Sequence, residues 1–232
     1  MNYLEYEKAF SSARLSKYLK ACDGKYASAL MLYRYNIKLC QKLFGVLSVF
    51  EVALRNAINE HYITHFSDND WIRHQLKTGG MLETHPQRAS VEKIIEELDK
   101  KGNYTNDRIV SSVTLGFWTY MFTKEPFRRG SQTLLKIFPS KINGLGQRLI
   151  FNELQIIKAF RNRIAHHEAI CFDHEGAVNT LFARSNYAQI MKYIKYLGYH
   201  DSKLLYGLNT LPNTILGKID SISIKSSACE YK

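Results

Sequence analysis

The chain has 232 residues, of which 45% are hydrophobic and 23% charged, and its four prolines and 13 glycines exclude collagen-like and low-complexity chains. The apolar fraction also argues against a mostly disordered chain. Lys and Arg outnumber Asp and Glu by 32 to 21, which gives a net charge of +11 and favours a polyanionic partner, either nucleic acid or an acidic membrane face. These values predict a folded, basic globular protein.

The basic charge is concentrated between residues 124 and 163, where nine basic residues accompany two acidic ones, Glu125 and Glu153, so that this segment carries +7. We predict that it forms an RNA-binding surface, and a solvated basic face without a ligand is the alternative. The predicted RNA-binding residues are Lys124, Arg128, Arg129, Lys136, Lys141, Arg148, Lys158 and Arg163.

The N-terminal residues lack the apolar region of a signal peptide, and the most apolar run, residues 43–54, is too short to cross a bilayer, which takes about 20 residues. The four cysteines lie far apart and form no C-x-x-C pair, which favours reduced thiols. They are Cys22, Cys40, Cys171 and Cys229. The sequence therefore predicts a cytoplasmic protein with no membrane partner.

The hydrophobic pattern predicts helices along most of the chain. Apolar residues recur at helical spacing in residues 3–20 and, most regularly, in residues 28–66. Further helices are predicted from Pro86 to Gly102, from Thr105 through Tyr120, from about Gly146 to His167, and from about Glu175 to Leu197. No strand pattern or linker separates them, so we predict one all-α domain over residues 1–198. Residues 199–232 form a C-terminal extension that ends in a pattern typical of a frayed or short β-prone tail.

The residues that suggest chemistry lie in the segment 159–175. Arg161, Asn162 and His166 fall near the end of a predicted helix, and Asn162 and His166, four positions apart, share one face. A histidine can transfer a proton near neutral pH, an arginine can hold a phosphate, and an asparagine can orient either. These three residue types suit cleavage of RNA without a metal. The alternative is that they only stabilise the helix C-terminus.

Three motifs resemble one known family. The run R-N-R-I-A-H-H-E at residues 161–168 resembles the R-N-x-x-A-H-H signature of the Abi-like (abortive infection) family within the HEPN superfamily. Residues 50–56 resemble its E-x-x-L-R-N helix motif. Residues 114–122 resemble its central S-x-G-x-W/L segment, although Thr-Leu-Gly-Phe stands where a Ser-Phe-Gly type is more usual.

The resemblance implies an α-helical HEPN-type bundle with additional helices. It also implies a metal-independent endoribonuclease of an anti-phage or toxin–antitoxin system, which cleaves RNA by attack of the 2′-OH. Arg161 and His166 are then the motif arginine and histidine, with Asn162 as the polar residue after the arginine. The implied partners are RNA, a second copy of the chain that pairs the motifs at a dimer interface, and an antitoxin or structured regulatory RNA.

Four further residues are predicted to support the site. Glu51 and Arg55 stand at i and i+4 in the most apolar helix, a spacing that favours a partly buried ion pair, and a surface pair is the alternative. His167 and Glu168 follow the predicted catalytic histidine directly.

Other chemistries have less support in the sequence. The histidines do not show the H-E-x-x-H spacing, so we predict no metal ligands and no cofactor. Cys171 lacks a supporting motif for a nucleophile and is interpreted as a small buried hydrophobe. Trp71 and Trp118 are interpreted as core residues. The alternative function is a non-cleaving RNA- or partner-binding module, and the intact Arg161 and His166 favour the enzyme.

Overall fold

The computed structural model describes residues 3–208 and 211–227, which are helical apart from connecting turns and one isolated β-bridge between Phe172 and Val178. The α-helices in these ranges are α1 (Tyr3–Phe10), α2 (Ser12–Lys20), α3 (Tyr26–Phe66), α4 (Trp71–Gln75), α5 (Arg88–Lys100), α6 (Asn106–Ser112), α7 (Leu115–Tyr120), α8 (Lys124–Arg129), α9 (Gln147–Ala165), α10 (Leu181–Tyr196), α11 (Asp201–Leu204) and α12 (Leu211–Ser227). A 3-10 helix covers Leu134–Ile137. The predicted all-α class is confirmed for the described residues, and the HEPN-type arrangement stays a prediction.

The described residues divide into two compact units. The terminal unit comprises the described residues within Met1–Ser48, Phe160–Met191 and Asp201–Lys232. The central unit comprises the described residues within Val49–Ala159 and Lys192–His200. The division into a domain over residues 1–198 and an extension over residues 199–232 stays a prediction. Cys229 lies outside the described residues, and the other three cysteines are free thiols.

In the terminal unit, the first part of α3 buries Leu32 and Leu39 completely, at the helical spacing that the sequence shows. Tyr18 of α2 packs its ring edge-on against Tyr33 of α3 at 5.2 Å and against Phe172 at 5.1 Å. Edge-on aromatic pairs of this kind stabilise a core beyond the area that they bury. These contacts hold α2 against α3 and against the segment that follows α9.

In the central unit, the second part of α3 buries Phe50 and Tyr62, and both tryptophans lie in the core. The ring of Tyr62 lies 4.9 Å from that of Trp71, whose indole N–H donates to Asn59 Oδ1 at 2.9 Å. Trp71 and Trp118 are completely buried, which confirms their interpretation as core residues. Large buried rings account for much of the stability of such a core.

A buried histidine holds the segment that resembles the family's central motif. His85 accepts a hydrogen bond from the Gln87 backbone N–H at Nδ1, over 3.0 Å, so that Nε2 carries the proton and donates to the Phe117 carbonyl at 3.3 Å. Its ring contacts those of Phe117 and Tyr120 at 4.5 Å each. Burial lowers the pKa of His85 to about 4. The ring is therefore a neutral part of the fold at neutral pH.

Two segments that the sequence predicts to be single helices are each divided into two helices in the structure. Residues 3–20 break at Ser11, which has a φ of 70° and whose hydroxyl accepts from the Arg14 N–H to cap α2. The helix predicted from Thr105 through Tyr120 ends at Ser112, because Val113 is extended and Thr114 caps α7 by accepting from the Phe117 N–H. Thr105 caps α6 as predicted.

The C-terminal predictions also need correction. The helix expected from about Glu175 begins only at Leu181, because Asp173 Oδ1 accepts from the N–H groups of Glu175 and Ala177 and closes a turn there. The short β-prone tail predicted for residues 221–232 is wrong for residues 221–227, which belong to α12. Asp220 of this helix accepts a hydrogen bond from the Arg184 guanidinium at 2.6 Å.

Candidate functional site

The site is built around the end of α9, which closes in a Schellman motif. The Glu168 N–H donates to the Arg163 carbonyl at 2.9 Å, and the His167 N–H donates to the Ile164 carbonyl at 3.0 Å. His167 therefore occupies the position after the helix cap, with a φ of 56°, where glycine is the usual residue. The turn places two consecutive histidines, His166 and His167, at the surface of the terminal unit.

Arg163 fixes this turn from within the helix. Its Nε donates to Glu168 Oε2 at 3.0 Å, its Nη2 donates to the Ala169 carbonyl at 2.8 Å, and its guanidinium lies 4.6 Å from the centre of the Phe182 ring. The sequence assigns Arg163 to RNA binding and Glu168 to support of the site, and these contacts engage both side chains. In this structure both residues hold the end of α9 in place.

Asn36 of α3 holds the segment that follows the turn. Its Oδ1 accepts from the Ile170 N–H at 2.9 Å, and its Nδ2 lies 3.9 Å from Cys40 Sγ. The side chain is 2% exposed, and a buried amide of this kind is stabilised by such a backbone bond. Asn36 therefore connects α3 to the stretch beyond His167.

Arg14 of α2 reaches the turn from the other side. Its Nη1 donates to the His167 carbonyl at 3.1 Å, across 153 positions of sequence. Because this bond engages one N–H group of the guanidinium, the others can hold an anion. The bond fixes a cationic side chain next to the two histidines.

Two clefts open beside the turn, and all of their lining residues belong to the terminal unit. The aromatic cleft, of about 780 Å³, is lined by Phe10, Tyr33 and Phe44 and also by Arg14, Arg161 and His167. The histidine cleft, of about 490 Å³, is lined by Arg14, Lys17, His166 and His167. Arg14 and His167 line both clefts, which are therefore adjacent.

The structure brings the predicted catalytic residues to one helix end but distributes them over the two clefts. Arg161 is half-buried and lines the aromatic cleft together with His167, whereas His166 is exposed and lines the histidine cleft. Asn162 is exposed, and its carbonyl accepts from the His166 N–H at 2.9 Å. His167, which the sequence assigns to a supporting role, therefore lines the same cleft as Arg161.

The other predicted support residues lie in the central unit. Glu51 and Arg55 of α3 are half-buried, and the Nε atom of Arg55 is fully buried. Their ion pair and their role in the site stay predictions.

The predicted RNA-binding surface is partly neutralised within the protein. Arg128 and Arg129 both pair with Glu125, at 2.8 and 3.1 Å, and Arg129 also pairs with Glu83 at 3.0 Å. The Arg129 guanidinium holds the pKa of the Glu83 carboxyl below its usual range. Lys136 lines a separate cleft of about 420 Å³ in the central unit. Lys124, Lys141, Arg148 and Lys158 belong to the central unit too, and RNA binding by this set stays a prediction.

The thiol and metal alternatives can be compared with the structure. Cys171 is fully buried, and burial raises its pKa to about 12, which disfavours the nucleophilic thiolate and agrees with its interpretation as a buried hydrophobe. Burial also raises the pKa of Cys40 to about 11. Within residues 3–208 and 211–227, no group of three or more His, Cys, Asp or Glu side chains is arranged to hold a metal ion.

Sequence analysis missed three residues of the site. Arg14 and Lys17 stand three positions apart on the exposed side of an amphipathic helix, a basic spacing that could have indicated a binding face. Asn36 interrupts the buried stripe of α3 four positions after Leu32, and a polar residue at such a position indicates a specific hydrogen bond.

The fold and the site define an all-α protein with arginine and histidine side chains around one helix end. A family model described as Abi-like protein matches residues 2–171, a range that includes all three motifs. The chain therefore belongs to the Abi-like protein family. No curated protein and no solved structure matches it. None of the helices in the described parts of the chain is long and apolar enough to cross a membrane.

Proposed function

We propose that this protein is an endoribonuclease of bacterial anti-phage defence, acting in abortive infection or as the toxin of a toxin–antitoxin system. One observation carries the proposal beyond family membership. Arg161 and His167 line one cleft, and His166 and His167 line the adjoining cleft together with Arg14 and Lys17. Imidazoles next to cationic side chains are groups that can cleave a phosphodiester without a metal.

The proposed reaction uses the internal 2′-OH of RNA as nucleophile. One imidazole takes the 2′-OH proton as the 2′-oxygen bonds to phosphorus, and the bond from phosphorus to O5′ breaks as that oxygen receives a proton. The products are a 2′,3′-cyclic phosphate and a 5′-OH. His166 acts as general acid or base, and Arg161 stabilises the charge that builds up on the phosphate oxygens. Asn162 is the third proposed catalytic residue.

The experiment is incubation with total RNA, with and without EDTA, followed by analysis of the new ends. We expect cleavage that survives EDTA and leaves 2′,3′-cyclic phosphate and 5′-OH ends. His166→Ala, purified in the same way, is the control for contaminating nuclease and should lose about a hundredfold or more of the activity. Loss of cleavage on chelation, restored by Mg²⁺ or Mn²⁺, would move the chemistry to a metal.

Binding without cutting is the outcome that favours the alternative, a non-cleaving RNA- or partner-binding module. In that case wild type and His166→Ala would bind RNA equally and neither would release product. The His166→Ala substitution removes little charge, so binding itself is expected to survive in either case.

The proposed working unit is a homodimer, because a two-fold copy adds a second Arg161 and His166 to the phosphate site. Sedimentation at micromolar concentration tests it. A strict monomer with activity proportional to enzyme concentration would contradict the dimer but not the chemistry of a single chain. RNA is the proposed substrate, an antitoxin or structured regulatory RNA is a further proposed partner, and the cytoplasmic location stays a prediction.

A further inference from the structure

The aromatic cleft presents more apolar surface than recognition of a phosphate needs. Phe10 of α1 and Phe44 of α3 are 38% and 44% exposed, and Tyr33 packs its ring 5.2 Å from that of Phe10. The volume of about 780 Å³ is in the range of sites that enclose a small molecule. These rings come from two helices that Tyr33 and Phe10 bring together, so the apolar wall is a built feature of the terminal unit.

The same cleft has a cationic edge. Arg14, Arg161 and His167 line it, and the bond from Arg14 to the His167 carbonyl fixes the guanidinium at the point where the histidine cleft begins. An apolar aromatic wall next to fixed cations complements a molecule that carries a flat ring at one end and a phosphate at the other.

A buried amide also lines the aromatic cleft. Asn36 is buried and lines the cleft, with Oδ1 engaged by the Ile170 N–H. Among the described residues, its Nδ2 contacts the weak acceptor Cys40 Sγ at 3.9 Å, which leaves amide donor capacity for a carbonyl or ring nitrogen of a base.

We propose that the aromatic cleft binds one unstacked nucleobase of single-stranded RNA, with the attached phosphate at Arg14, Arg161 and His167. The proposal rests on the proposed function and names its substrate class, which is RNA with at least one unpaired base at the cleavage site. Stacking of a base on Phe44 or Phe10 supplies affinity, because every base offers a flat π-face to an aromatic ring. The phosphate then lies where the aromatic and histidine clefts meet.

A direct binding test uses two probes that differ only in the base, adenosine 5′-monophosphate and ribose 5-phosphate, followed by NMR titration. We expect the nucleotide to bind about tenfold more tightly than the sugar phosphate, since stacking of one base contributes about that factor or more. Equal affinities for the two probes would overturn the proposal. This measurement needs no cleavage, so its outcome is independent of whether the protein cuts RNA.

Variants locate the binding in the cleft. Phe44→Ala should reduce the preference for the nucleotide to about twofold or less and leave the ribose 5-phosphate affinity unchanged. Met31→Ala is the matched control, because Met31 lies on the same helix and is 43% exposed. If Phe44→Ala fails to fold, Phe10→Ala makes the same test from α1. A nucleotide preference that survives both substitutions would place base binding elsewhere and overturn the assignment.

Cleavage assays separate this proposal from the nuclease itself. With a short RNA that is cut at one site, an abasic nucleotide on either side of the scissile phosphate should raise KM at least tenfold at one of the two positions. Cleavage that is indifferent to abasic substitution, together with equal binding of the two probes, would refute the base site while the nuclease stands. Nucleotide preference without any cleavage would refute the nuclease and keep the base site.

Discussion

Two sets of arginine and histidine side chains, one in each unit of this protein, have different environments. In the central unit, Arg128 and Arg129 pair with nearby carboxylates and His85 is buried and neutral. In the terminal unit, Arg161 and His167 line an open cleft. The basic run of the sequence crosses both units, so its charge alone does not show which side chains can bind a phosphate. The carboxylates that each side chain contacts in the folded protein, such as Glu125 and Glu83, decide this.

A matched pair of substitutions gives the largest expected difference between the two regions. Arg161→Lys keeps the charge and loses the planar fork that holds two phosphate oxygens, so we expect RNA cleavage to fall about a hundredfold. Arg128→Lys keeps a charge that can still pair with Glu125 and should change the rate less than about twofold. Initial rates on one RNA substrate measure both. A comparable loss in the two variants would contradict the comparison.

The buried histidine of the central unit makes stability depend on pH. Its folded-state pKa of about 4 lies below the usual value near 6.5, so the unfolded chain binds the proton more readily. Stability is therefore fully present above pH 6.5 and is lost as the pH falls towards 4. Between pH 7.5 and 5.0 we expect His85 to lower the free energy of unfolding by about 2 kcal/mol.

Urea unfolding of wild type and His85→Gln at the two pH values measures this contribution. Glutamine can still donate to the Phe117 carbonyl but does not titrate, so the variant should be less stable at pH 7.5 and lose less on acidification. His174→Gln is the control, because this histidine is exposed and its side chain is 91% accessible. The same pH dependence in all three proteins would show that His85 is not the titrating group.

The helices could be predicted from the sequence wherever an apolar face repeats without interruption, and this covers most of the fold. The spacing from Leu32 to Ile58 predicts the long helix α3, and Thr105 predicts a helix start that the structure confirms. Prediction failed where a side chain competes with the helix for backbone groups. Thr114 restarts the helix after Val113, and Asp173 closes a turn that delays α10.

Less of the candidate site could be predicted. The spacing of Arg161 and His166 places both near one helix end, which follows from helix geometry alone. That Arg14 contacts His167 depends on packing across 153 positions, and no local pattern reports such a contact. The position of His167 was hidden for another reason, because the turn that it occupies usually carries glycine, so the sequence shows no cap at that point.

Because His167 occupies a position that favours glycine, a glycine substitution can test whether the imidazole contributes to cleavage. His167→Gly removes the imidazole but retains the carbonyl that Arg14 contacts, and glycine adopts a φ of 56° without strain. We expect cleavage to fall about tenfold or more while the free energy of unfolding stays the same or rises by about 1 kcal/mol. Activity assays and urea unfolding of one preparation measure both. A destabilised and fully active variant would assign His167 a structural role.

The smallest expected effect is on the salt dependence of RNA binding, which separates direct phosphate contacts from the general field of a basic protein. Lys17→Gln and Arg128→Gln each remove one charge, so a field effect alone predicts equal weakening of both. Lys17 lines the histidine cleft, whereas Arg128 donates to Glu125 at 2.8 Å. We therefore expect the slope of log K against log salt to fall by about 0.7 in Lys17→Gln and to stay unchanged in Arg128→Gln, because only a phosphate contact releases counterions from a single strand.

Binding titrations at four salt concentrations with a single-stranded 2′-deoxy oligonucleotide, which the proposed 2′-OH chemistry cannot cut, give both slopes. Equal slopes would mean that Arg128 contacts the phosphate backbone of the oligonucleotide as readily as Lys17 does. The two regions would then differ in catalysis and not in binding.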